Sequence, residues 1–227
     1  MDYGACIRCR RFDPPVTSLR CIGLLLAALT VTACGSPWYT AEPIEAWVVD
    51  AETGAPIEGA VVTANWQLVA PSLDTGGRKL RQLEVMETRT DKNGRFYFPG
   101  FTKINFTLDE LRDEDPQILI FKSGYRYGRE SSRYGADASY LKTRRKSNIA
   151  GDQVRLVKRD KDPKLYAFNI GFLTTYLLTL HSTGDVHRVS MMVRELACER
   201  NRLISESRSD AGLFSVPGHS SQELNCE

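Results

Sequence analysis

The chain has 227 residues, 42% apolar and 26% charged, which suits one good-sized domain with an ordinary core and excludes a chain disordered by composition. Its formal net charge of +2 comes from the N-terminus, where residues 1–33 hold Arg8, Arg10, Arg11 and Arg20 against Asp2 and Asp13. Taking these from the totals of 30 basic and 28 acidic residues leaves 26 of each sign, and a neutral remainder gives no global case for nucleic acid as a partner.

The first legible segment is Leu19 to Cys34, LRCIGLLLAALTVTAC. Arg20 precedes an apolar run from Cys21 to Val31, and small residues then lead to a cysteine, the order of a secretory signal. At about 11 residues the run is too short for a membrane-spanning helix, which needs roughly 20. The long stretch before Arg20 suits a later start codon such as Val16. The ending Val31–Thr32–Ala33–Cys34 resembles a bacterial lipobox. That resemblance implies a lipoprotein signal peptide over 1–33, lipid on the sulfur and amine of Cys34, and the membrane as a partner through that lipid. Gly35 in place of Asp implies the outer membrane, facing the periplasm. A plain signal peptide with an incidental cysteine is the other reading.

Residues 34–43 then read as a tether closed by Pro43. Ile44, Ala46 and Val48 alternate with Glu45, Trp47 and Val49, which predicts a strand. In the turn 50–56, Asp50 can bond its own backbone, Gly54 can take positive φ and Pro56 sets the exit. Val62, Ala64, Trp66 and Leu68 mark a second strand, residues 71–78 a loop, and Leu80 to Thr90 a third strand. The turn 90–94 leads to Phe96 and Phe98 on one face; Gln117 to Lys122 is a nearly continuous apolar run, and 152–158 alternates again. Short strands with turn signals between them predict a β-sandwich.

The blocks 44–62, 90–98 and the strand ending Lys122–Ser123–Gly124–Tyr125–Arg126, in that order, resemble the carboxypeptidase regulatory-like family. The resemblance covers about half the chain, residues 44–160. It implies an antiparallel immunoglobulin-like or prealbumin-like β-sandwich in which Gly54, Pro56 and Gly59 serve backbone geometry. In that family the sandwich is an appendage to an enzyme, whose HxxE motif has no counterpart here. The segments 68–83 and 127–150 are longer than the family core needs.

Beyond Lys164 the period changes, so that 163–227 reads as a helical extension with a loose tail. Tyr166, Ile170, Leu173, Leu177 and Leu180 share one face of a buried helix, with a pair of strands the other reading. Ser182–Thr183–Gly184–Asp185 has capping-box spacing before a second helix carrying Val189, Val193, Leu196 and Leu203. The pair is expected to pack on the sandwich or to cap one edge.

Once 1–33 is removed and Cys34 is lipidated, Cys198 and Cys226 are the remaining thiols. Bridging is favoured in an oxidising compartment and would close a loop of about 28 residues; two free buried thiols are the alternative. His181, His187 and His219 do not have zinc-helix spacing, and no GxSxG, GxGxxG or Walker pattern occurs. No catalytic residue, metal ligand or cofactor is assigned. The transthyretin-like hydroxyisourate hydrolases end in TyrArgGlySer, unlike this chain, and the Tyr and His spacing of intradiol dioxygenases is not matched.

Segment 122–148 has eight basic residues against Glu130 and Asp137, interleaved with tyrosines. Arg126, Arg129, Arg133, Arg144 and Arg145 with Tyr127 and Tyr134 are candidates for holding an envelope polyanion through guanidinium forks and stacking. The plainer reading is a solvated loop whose charges answer the acidic stretch 109–115. The expectation is a non-catalytic, lipid-anchored envelope module that binds a polyanion or a protein partner. Its rival is an enzyme or metal-dependent small-ligand carrier built on a transthyretin-like sandwich.

Overall fold

The computed structural model describes residues 38–71, 78–104, 107, 109–112, 116–131, 144–207, 214–217 and 226. Cys34, Arg133, Tyr134 and His219 lie outside them, as does the side chain of Arg145. The described strands are β1 (Trp38–Ala41), β2 (Ile44–Asp50), β3 (Val61–Pro71), β4 (Arg78–Arg89), β5 (Arg95–Phe98), β6 (Phe101–Ile104), β7 (Glu110–Leu111), β8 (Gln117–Phe121), β9 (Gly128–Ser131), β10 (Arg144–Arg145) and β11 (Gln153–Leu156). Two helices follow, α1 (Pro163–Ser182) and α2 (Ser190–Ser207), with a 3-10 turn over Val186–Val189 between them. The chain is a mainly β protein, a sandwich with a helical extension, as its pattern predicts.

The sheet β4-β3-β8-β9 is central, and β7 pairs with the end of β3. Strand β8 and the start of β3 are apolar on both faces, and that decides the architecture. Val62, Ala64, Ile118 and Ile120 point one way, into a core completed by Ala46 and Val48 of β2, Phe96 and Phe98 of β5, and Val154 and Leu156 of β11. Val61, Val85, Leu119 and Phe121 point the other way, against α1 and α2. The run Ile118–Phe121 reads as continuous because both of its faces are covered.

The facing layer comes in two parts, β11-β2-β5 and β10-β1-β6. The antiparallel ladder of 38–50 with 95–104 breaks at Pro43 and Pro99, which have no amide proton to donate. Gly100 lies so close to the other strand that a Cβ there would sit 2.8 Å from the Ala41 carbonyl. Four of the ten residues of the expected tether, Trp38–Ala41, are thus strand: Tyr39 and Ala41 are buried, and the Tyr39 hydroxyl donates to the Asp109 carbonyl at 2.8 Å. The sandwich is not wholly antiparallel, because β10 and β11 run parallel to β1 and β2. Each arrives from a distant part of the chain, where no hairpin constrains direction.

Both expected turns form. Asp91 Oδ1 accepts from the amides of Asn93 and Arg95, each at 2.9 Å, which makes 90–94 a hairpin turn. Gly94 takes φ 72°, and a Cβ on it would collide with the Val48 carbonyl and lie 3.2 Å from Ile57 N.

Asp162 caps α1 by accepting from the Lys164 amide at 2.9 Å, with Pro163 at the first helical position. The face Tyr166, Ile170, Leu173, Leu177 and Leu180 is buried as predicted. Ser182–Thr183–Gly184–Asp185, however, ends α1 and does not cap α2. Gly184 takes φ 80°, its amide donates to His181 O, and the Asp185 amide donates to Leu180 O at 2.8 Å, a Schellman stop. Cap-forming residues and a C-terminal glycine share this stretch, and the backbone uses the glycine. The cap of α2 comes from the sheet: the Glu87 carboxylate on β4 accepts from the Met191 and Met192 amides at 2.8 and 2.7 Å.

The helices pack on the open face of the central sheet, not on an edge. Glu84 of β4 pairs with Arg188 and with Lys103 of β6, and Arg89 pairs with Glu195 at 2.7 Å. The tail is held more than its Ser- and Gly-rich composition predicts. Phe214 and Val216 are buried in the helical core, and Arg200 Nε donates to Phe214 O at 3.1 Å. Cys198 of α2 is bridged to Cys226 with Cα atoms 5.5 Å apart, a closure contributing about 3.5 kcal/mol in the chain-entropy picture.

Two glycines of positive φ separate steric from conformational cost. Gly54→Ala, with nothing within 4 Å of an added Cβ, should cost only about 1 kcal/mol. Gly94→Ala should cost roughly 2–5 kcal/mol, because backbone must move as well. Urea denaturation of the two variants checks this, and equal losses would contradict the collision at Val48.

Candidate functional site

Candidates for function among the described residues include two polar clusters and the apolar outer face of α1. The first cluster is built on the β2 turn. Asp50 is buried, its Oδ1 accepting from the Glu52 and Thr53 amides, each at 2.9 Å. Its Oδ2 accepts from the Tyr125 hydroxyl at 3.0 Å and lies 3.8 Å from Lys158 Nζ. The Thr53 amide, helped by Glu52 and Tyr125 against the cost of burial, holds the Asp50 carboxyl down at about 2. Burial, then Asp50, raises the Tyr125 hydroxyl, while Asp50 raises Lys158. Both partners therefore keep their protons at neutral pH. The cluster ties the first hairpin to the segments after β8 and β11, and it holds no group poised to exchange a proton.

The second cluster lies under the helices. Glu199 of α2 is buried and accepts from Ser123 Oγ at 2.7 Å and from Arg202 Nε at 3.0 Å. Burial opposes its ionisation, yet hydrogen bonds from Arg202, Ser123 and Tyr166 hold it below the usual carboxylate range. Burial and then Glu199 push the Tyr166 hydroxyl far up, and that oxygen accepts from the Gly124 amide at 3.3 Å. A carboxylate fixed as ionised beside a phenol fixed as protonated fastens α1 and α2 to the β8–β9 turn. Beside the register shift midway along the β3–β4 ladder, Asn65 Oδ1 and both amide atoms of Gln82 are buried without a hydrogen-bond partner, a cost the fold carries there.

The described members of the Arg/Tyr segment go to separate partners inside the fold. Arg126 pairs with Asp160, its Nε at 3.0 Å from Oδ2, and Arg129 lies 4.8 Å over the Tyr176 ring of α1. Arg144 pairs with Glu42 at 2.8 Å, and Tyr127 is half-buried against the helical core, its hydroxyl raised by that burial. The acidic stretch 109–115 does not answer them among the described residues: Asp109 pairs with Arg81 at 3.1 Å, and Arg112 bonds Gln67 at 2.7 Å. His181 and His187 are both exposed, with His187 Nδ1 2.9 Å from Gly184 O. The described residues contain no group of three His, Cys, Asp or Glu placed to hold a metal ion.

The apolar surface arises because α1 is buried on one face only. Phe168 is 63% exposed, and Leu165, Phe172 and Leu178 about half exposed. Phe168 and Phe172 pack edge-to-face at 4.9 Å on the solvent side. Lys164 and His181 are the only titratable side chains of the helix besides two tyrosines, so the stripe is almost uncharged. The signal was available in the sequence: Leu165, Phe168 and Phe172 stand at helical spacing on the face opposite the predicted one. No helix among the described residues is long and apolar enough to cross a membrane.

Asp50 makes stability depend on pH in a defined window. Its carboxyl is lower in the folded chain, about 2, than the roughly 3.9 of an unfolded aspartate. Its contribution is therefore complete above about pH 4 and lost as pH falls toward 2. Asp50→Asn should be less stable than wild type at neutral pH, and the gap should narrow between pH 4 and 2 in urea denaturation. A gap that stays constant would mean that the charge contributes nothing.

No protein-family model matches the chain, and no curated protein matches it. Among solved structures it is similar to 3-chlorocatechol 1,2-dioxygenase from Rhodococcus opacus 1CP, with TM-score 0.31 and 17% identity over 56% of this chain and 62% of that one. It is also similar to a streptococcal ancillary pilin, with TM-score 0.24 and 14% identity over 53% and 30% of the two chains. A third is the C-terminal domain of a shaft pilin from Lactobacillus rhamnosus GG, with TM-score 0.23 and 13% identity over 54% and 99%. The chain spans less than two thirds of the dioxygenase. At TM-scores this low, none of the three bears on what this chain does; its own strands and helices define a β-sandwich with a helical layer.

Proposed function

We propose that the protein is a non-catalytic, lipid-anchored module of the cell envelope, held at Cys34 and binding a partner protein through the outer face of α1. The observation that carries the binding role is the outer face of α1, where Leu165, Phe168 and Phe172 at helical spacing, and Leu178 farther along, are apolar and exposed on a fold that otherwise buries such side chains on both faces of its central sheet. The two ordered polar clusters support a non-catalytic reading, since each holds its groups in one protonation state across the neutral range. The signal-like segment Leu19–Cys34 supports export and anchoring, and the Cys198–Cys226 bridge suits an oxidising compartment. Resemblance of 44–160 to the carboxypeptidase regulatory-like family agrees with a module that does no chemistry itself. A protein partner is preferred to a polyanion because Arg126, Arg129 and Arg144 already have partners within the fold.

The anchor is tested at Cys34. Cys34→Ala should abolish labelling by an alkynyl fatty acid and release the protein from membranes, since several acyl chains anchor firmly where one binds only marginally. Unchanged membrane association, with no lipid mass on the wild-type chain, refutes it.

The binding face is tested by placing a photo-crosslinking amino acid at Phe168 on α1, or at Arg155 on exposed β11, in cells. A discrete adduct is expected at position 168 and none at 155. Identical patterns from the two positions would remove the argument for the α1 stripe.

A further inference from the structure

Beside the start of the fold lies a second apolar surface, on the sheet β10-β1-β6. Trp38 and Ile104 are directly opposed across β1 and β6, at 52% and 44% exposed. Side chains alternate along both strands, so Thr40 and Thr102 form the next row on this face, with their hydroxyls 3.3 Å apart. Arg144 stands beside Thr40 on the parallel strand β10 and reaches Glu42 at 2.8 Å. From Trp38 toward Glu42 the face thus runs from apolar, through hydroxyl, to an ion pair, in steps of about 7 Å. Tyr39 and Ala41, on the opposite face, are buried.

We propose that this face rests on the lipid surface, with Trp38 and Ile104 in the headgroup layer. The inference rests on the reading of Cys34 as the anchored residue. Cys34 and Trp38 are four Cα steps apart, at most about 14 Å when fully extended, and Pro37 is one of the residues between them. The headgroup layer is itself roughly 5–8 Å deep on each side of a bilayer. A lipidated Cys34 therefore cannot hold the first row of β1 far from that layer, whatever the path of the chain. Tryptophan is enriched at this depth because its ring is apolar and its N–H polar. The polarity gradient has the direction the bilayer requires: the apolar row is nearest the anchor, and the ion pair is farther out.

The test uses the full chain, exported and lipidated. With Cys34 acylated and Cys198 bridged to Cys226, Ile104→Cys offers one reactive thiol for an environment-sensitive dye. The control is Lys92→Cys, in the exposed turn at the opposite end of the same ladder. Each labelled protein is reconstituted into phosphatidylethanolamine–phosphatidylglycerol vesicles, with or without a lipid carrying a nitroxide at its headgroup. The dye at 104 should shift to the blue and be quenched several-fold more by the nitroxide than the dye at 92. Thr102→Cys, one row farther from the anchor, should give an intermediate value, and it serves if the 104 variant does not fold. Equal quenching at 104 and 92 in protein that floats with the vesicles overturns the seat while leaving the anchor intact. A blue shift without nitroxide quenching also overturns it, because a second copy or another protein then covers the face. Protein that neither floats nor carries lipid mass overturns the anchor reading and this inference with it.

Discussion

The structure depends on one constraint, that strand β8 and the start of β3 are apolar on both faces. A sheet of that kind cannot leave either face in water, since each large side chain so exposed would forgo about 1.5–3 kcal/mol of burial. Val62, Ala64, Ile118 and Ile120 require the layer of β2, β5 and β11, while Val61, Leu119 and Phe121 require a second cover. The helices are that cover. The C-terminal extension is thus no appendage to a finished sandwich, because the sandwich has an unsatisfied face without it.

The helical layer is also tied electrostatically. Glu87 supplies from the sheet the cap that the sequence before α2 lacks, and Glu84 and Arg89 pair with Arg188 and Glu195. Glu199, Ser123, Tyr166 and Arg202 form a further tie beneath the helices. Buried networks of this kind are worth having only when every member has its partner, and then they specify one arrangement over its competitors. Consistent with that, the strongly shifted groups among the described residues, Asp50, Tyr166 and Glu199, lie where elements are joined.

With both faces of the central sheet covered, the apolar surface that remains stands out. The outer stripe of α1 has no fold-internal reason to be Leu, Phe, Phe and Leu, because an amphipathic helix docked on a sheet needs only one apolar face. Trp38 and Ile104 lie at the start of the fold, a few residues beyond Cys34. The two surfaces are suited to different occupants. The α1 stripe is nearly uncharged along its length, whereas the β1–β6 face grades within a few residues from apolar to ionic.

Much of the fold was legible in the sequence because its signals are local. Alternation marked β2, β3 and β11, the Asp and Gly of 50–56 and 90–94 specified their turns, and a 3.6-residue period marked the buried face of α1. Export chemistry pointed to Cys198 with Cys226, a pairing that the structure contains. Tertiary structure decided what depends on partners distant in the chain. It paired Trp38–Ala41 as a strand, set β10 and β11 parallel to β1 and β2, and buried Phe214 and Val216 under the helices. It also gave Arg126, Arg129 and Arg144 partners that no sequence spacing predicts: Asp160, Tyr176 and Glu42. A charged or apolar side chain looks the same in sequence whether it meets water or another element. Periodicity reports which residues share a face, and only packing reports what that face meets.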